Sequence, residues 1–102
     1  MKFQLILQFP AKEMKQFDEL VALEEGLIQA LSSESEVDGH DFGSGEFNIF
    51  VLTNHLRETF NVARKLIQQT SFQQQLRAAY RERGKDDFVI LWPEHLEQFR
   101  VA

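Results

Sequence analysis

The segment Phe3-Gln4-Leu5-Ile6-Leu7-Gln8-Phe9 sets large apolar side chains at every odd position and glutamine at two of the three even ones. That two-residue period belongs to a strand with one face buried. Pro10 ends it. From Glu13 onward the apolar residues Phe17, Leu20, Val21, Leu27, Ile28 and Leu31 instead fall on one helical stripe. A chain that offers one apolar strand face and then one apolar helix stripe must pack the two together, which selects layered folds mixing both element types. Gly26 interrupts the stripe at a cost of about 1 kcal/mol against alanine, so it either permits close packing or marks a bend.

The following stretches extend the order. Glu36 to Phe42 and Phe47 to Leu52 flank Gly43-Ser44-Gly45 and read as a β-hairpin. Asn54 is a candidate N-cap for a helix carrying Leu56, Phe60, Ala63 and Ile67. Ser71 with Gln74 forms a capping-box pattern, and Phe72, Leu76, Ala79 and Tyr80 make a second stripe, so the second helical region is read as split in two. Gly84 stops it. Asp87-Phe88-Val89-Ile90-Leu91-Trp92 is the last strand, nearly continuous in apolar character and expected to be buried on both faces; residues 94–102 fall outside the pattern. The expected fold is therefore α+β, a ferredoxin-like β-α-β-β-α-β sandwich with an antiparallel sheet and helices on one face. A length of 102 residues suits a single domain over 1–102, able to bury a core without disulfides or metal.

Two segments, Asp38 to Phe50 and Asp87 to Pro93, resemble a group of short, stand-alone, functionally uncharacterised bacterial proteins of ferredoxin-like α+β shape. The resemblance implies the fold and transfers no catalytic residue.

Composition narrows the function classes. The chain has no cysteine, which removes disulfides, thiolate nucleophiles and sulfur-based zinc sites and fits a cytoplasmic setting. The N-terminal segment is too short and too polar for a secretory signal, and no run approaches membrane-spanning length. Net charge is −5, and residues 1–50 hold ten acidic against three basic side chains. This disfavours nucleic acid and leaves room for a basic protein partner.

If the odd residues of the first strand face the helices, the opposite sheet face receives Gln4, Ile6, Gln8, Asn48, Phe50 and Leu52, joined by Glu36, Asp38, His40 and Phe42 if Val37 points inward. A helix-free face this apolar calls for a cover, either a second copy of the chain or the segment from His95 onward. Ile6, Asn48, Phe50 and Leu52 are the candidate interaction face. The sequence favours a non-enzymatic binding or interaction module, as a homodimer or docked on a basic protein. The alternative is a small enzyme in the manner of dimeric α+β barrels, with His40 as acid or base and Asn48 and Gln8 orienting a substrate. Gly43-Ser44-Gly45 leads into a strand and is no dinucleotide fingerprint. The histidines at 40, 55 and 95 have no spacing that forces convergence on a metal, and no cofactor is expected. The serines sit at caps and turns. Arg77, Arg81, Arg83 and Lys85 with Tyr80 form a local basic patch, read first as a solvated helix face and alternatively as a contact for an anion or RNA.

Overall fold

The computed structural model describes residues 1–101. Its elements are β1 (Phe3–Pro10), α1 (Met14–Ala30), β2 (Ser35–Gly43), β3 (Glu46–Thr53), α2 (Leu56–Ile67), β4 (Arg77–Glu82) and β5 (Val89–Trp92). The five strands form one antiparallel sheet in the order β2-β3-β1-β4-β5, so the alternating N-terminal segment becomes the central strand. Leu5, Leu7 and Phe9 turn to the helices as the period requires, fully buried in a core with Phe47, Ile49 and Val51 of β3, Leu20, Leu23 and Leu27 of α1, and Ala63 and Ile67 of α2, but the even positions Ile6 and Gln8 are buried as well, so β1 is covered on both faces and not on one. Both helices thus cover one face of the sheet, here called the helix face.

Each local break has a chemical cause. The Gln16 amide oxygen accepts from the backbone N–H groups of Lys12 and Glu13, at 2.7 and 3.2 Å, and so closes the start of α1. Helix α1 then runs without interruption through Gly26, and a methyl group added there would meet nothing within 4 Å, so close packing is not what the glycine serves. The hairpin between β2 and β3 turns on Ser44 and Gly45 alone, with φ of 54° and 77°. Two successive positive φ angles give the turn whose twist matches the flanking strands.

Residues 71–84 correct the expected second helix. Helix α2 is a single element that stops at Ile67, whose carbonyl accepts from both the backbone N–H and the hydroxyl of Thr70, at 2.9 and 2.7 Å. Arg77 to Glu82 then form β4 along the free side of β1, with Gln4 opposite Arg81 and Gln8 opposite Arg77. Alanine, arginine and glutamine are good helix formers, but an unpaired central strand edge leaves buried backbone groups unsatisfied, and pairing outweighs a propensity of a few tenths of a kcal/mol per residue. Ala78 and Ala79 are both fully buried, one on each face.

The last strand is corrected too. β5 is a short edge strand against β4, with a register irregularity at Leu91; Val89 is half exposed and its neighbours are only partly buried. After it the Trp92–Pro93 peptide is cis, and residues 93–101 cross the sheet face that the helices leave free, here called the open face. The Gln8 side-chain amide donates to the Arg100 carbonyl at 2.7 Å, and the Phe99 ring meets Phe88 edge-on at 5.3 Å. Beneath this strap Ile6 and Ala79, which point away from the helices, are fully buried. No helix is long and apolar enough to cross a membrane.

Candidate functional site

The polar residues singled out in the sequence separate onto the two faces of the sheet, and one residue decides the split. Val37 pairs with Val51, but Gly39, not Asp38, pairs with Phe50. Asp38 is therefore an extra residue, a β-bulge, and Gly39 beside it adopts φ of 119°, a conformation that side-chain-bearing residues rarely take. Beyond the bulge the alternation is reversed. His40 and Phe42, expected on the open face, lie opposite Ile49 and Phe47 on the helix face, while Asp41 moves to the open face opposite Asn48.

On the helix face the His40 ring stacks on Phe47 at 4.6 Å between centroids, and its Nδ1 lies 2.8 Å from Glu24 Oε1 of α1. The side chains are 31% and 10% exposed, so the pair is largely sequestered. Glu24 Oε2 has no hydrogen-bond partner. The Phe17 ring closes over His40 and Phe42 edge-on. This dyad ties the edge strand β2 to α1, and His40 lines none of the clefts described below.

On the open face Gln8, Asn48 and Asp41 do come together. Gln8 Nε2 donates to Asn48 Oδ1 at 3.0 Å, and Asn48 Nδ2 donates to Asp41 Oδ1 at 3.0 Å. Gln8 and Asn48 are buried, and the second donor bond of Gln8 goes to the strap. The line is a satisfied relay from β2 through β3 and β1 to Arg100, and it positions the strap. The trio of His40, Asn48 and Gln8 is thus divided between faces; the acids near the two amides are Asp41, bonded to Asn48, and Glu46, which lines a cleft with Gln8 and pairs with Arg77. Of the expected interaction face, Ile6 and Asn48 are covered by the chain itself, while Phe50 and Leu52 stay partly exposed.

The remaining polar clusters account for themselves. The hydroxyls of Ser35, Thr53 and Thr59 bond one another at 2.8–2.9 Å, and none of them bonds a histidine ring. His55 and Glu34 pair at the surface. Among the described residues, no three His, Asp or Glu side chains converge as a metal would require.

What sequence reasoning missed lies on β4. As a strand it projects Arg77 and Arg81 onto the open face, opposite Gln8 and Gln4, with Ala79 between them. Arg81 Nε donates to Gln4 Oε1 at 2.8 Å, and its guanidinium lies over the Phe88 ring at 5.3 Å. Two adjoining grooves follow, of about 280 and 460 Å³, sharing Gln4, Asp38 and Arg81; Leu52 and Arg83 line one, Phe50, Phe88 and Val101 the other. On the far side of the strap a cleft of about 350 Å³ is lined by Gln8, Glu46, Gln75, Arg77 and Leu96, among others. The two-residue spacing of Arg77, Ala79, Arg81 and Arg83 was the available signal, as was a glycine inside the pattern of β2.

No family model matches the chain, and neither a curated protein nor a solved structure matches it.

Proposed function

We propose that the protein is a non-enzymatic binding module, cytoplasmic and built on a ferredoxin-like frame with β5 added at its edge, and that its working surface is the strapped open face. The frame reading draws support from the strand order, in which β1 lies between β3 and β4. One observation carries the functional reading. The strap closes the centre of the open face and leaves beside it grooves to which four strands and the strap all contribute, with cationic, anionic, amide and aromatic groups facing one space. Convergence of that kind on a rigid sheet is how binding sites are built, whereas an interface would present a broad flat patch. His40, the leading acid or base of the enzyme reading, is occupied by Glu24 on the other side of the sheet.

Amide chemical shifts of the full chain, recorded against a library of small charged and uncharged molecules, test this. The responsive amides are expected to cluster at Gln4, Phe50, Arg81 and Val101. A library in which no molecule moves them, or one whose hits gather around Glu24 and His40, would overturn the proposal.

A further inference from the structure

The grooves beside the strap carry opposite charges that do not neutralise each other. Arg81 and Arg83 have no carboxylate within ion-pair distance among the described residues, and Asp38 has no cation, yet all three line one continuous space. Here they are held apart by construction. Asp38 stands on the extra residue of the β2 bulge, and Arg81 is held on the other side by Gln4 and by the Phe88 ring. With its Nε engaged, the guanidinium keeps its two terminal NH₂ groups for a further acceptor, and their forked geometry suits a carboxylate.

Strands β2 and β4 stand three strand spacings apart, about 14 Å. Arg81 reaches inward over β1 and Asp38 inward from β2, so the gap left over Phe50 and Leu52 has the dimensions of a small molecule and not of a polymer. We infer that this groove binds a free amino acid with an apolar side chain: its carboxylate on Arg81, with Arg83 adding positive charge, its ammonium on Asp38, and its side chain against Phe50, Leu52 and Phe88. The charge pattern fits a zwitterion in particular. A simple anion would have Asp38 against it and a simple cation would have the two arginines. The inference rests on the binding-module reading above and specifies its ligand class.

Calorimetric titration of the full chain with leucine, N-acetyl-leucine and leucinamide, with amide shifts recorded alongside, separates the possibilities. Leucine is expected to bind one to one, and each blocked form, lacking one charge, to bind at least about tenfold more weakly. Asp38→Asn should remove the discrimination against N-acetyl-leucine, and Arg81→Lys, which keeps the charge and loses the fork, should weaken leucine by a similar factor. The thermal melt of Asp38→Asn should match the parent, and that of Arg81→Lys, which gives up the bond to Gln4, should fall by no more than a few degrees. Equal binding of all three compounds, or shifts lying elsewhere, overturns the inference. If another class of molecule moves the groove amides and leucine does not, this inference fails and the binding-module reading stands.

Discussion

At the scale of single residues, Glu24 and His40 form a largely sequestered pair that joins α1 to the edge strand β2. A carboxylate that is largely removed from water depends on its one partner, because an unpaired buried charge costs more than a well-made pair contributes. His40→Ala should therefore lower stability by about 1–3 kcal/mol, through the loss of the Glu24 partner and of the stack on Phe47. Glu24→Gln, which keeps a hydrogen-bonding group without the charge, should cost less. Urea denaturation of the two variants checks the order; a larger loss for the glutamine variant would mean that the pair is held for its charge and not for its packing.

At the scale of elements, the bulge in β2 makes an unusual forecast. Removing one residue from the middle of a strand normally turns every later side chain to the wrong face. Deleting Asp38 should instead leave a regular strand, because the pairs Val37 with Val51 and His40 with Ile49 are already those of an uninterrupted ladder with Gly39 between them. The deletion should change stability by less than about 1 kcal/mol, and the nuclear Overhauser contacts between His40 and Phe47 should persist while amino-acid binding disappears. Loss of those contacts would show that the bulge itself sets the register. The same element marks where sequence reasoning stops. The helix-facing residues of β1 and β3, the stripe of α2, the hairpin and most of the stripe of α1 were legible because a single period governs each, while Ile28, counted on the α1 stripe, is exposed. The face of His40 was not, since one inserted residue reverses the alternation and Gly39 was its only trace. Strand β4 was hidden for a different reason: Arg77-Ala78-Ala79-Tyr80-Arg81 suits a helix on its own, and only the empty side of β1 makes it a strand. With β4 read as helix, Arg81 could not be placed opposite Gln4, and the groove could not be foreseen.

At the scale of the whole molecule, the strap occupies the place where a second copy would pack. The apolar face that called for a cover has one in residues 93–101, under which Ile6 and Ala79 are buried, so self-association across this face is expected to require release of the strap. Phe99→Asp sets a charge against Phe88 and should loosen it. Sedimentation velocity should then show concentration-dependent association of the variant, while the parent chain sediments as a monomer under the same conditions. A parent chain that dimerises with its strap in place would refute this view of the face.

The central position of β1 also governs how the chain reaches this arrangement. Phe3 pairs with Thr53 on one side and with Glu82 on the other, and Gln8 reaches on to Arg100. The strand around which the sheet is assembled is the first in the chain, and its partners lie far along it. Loop-closure entropy must be overcome before those distant pairings contribute, whereas the β2–β3 hairpin and the two helices can form locally. Assembly of the sheet should therefore be late, nucleated when the preformed hairpin captures β1, with β4 and the strap docking afterwards. Stopped-flow refolding should then be slower than for helical bundles of this size, and substitutions at Leu5 and Ile49 should slow folding while those at Phe99 chiefly speed unfolding.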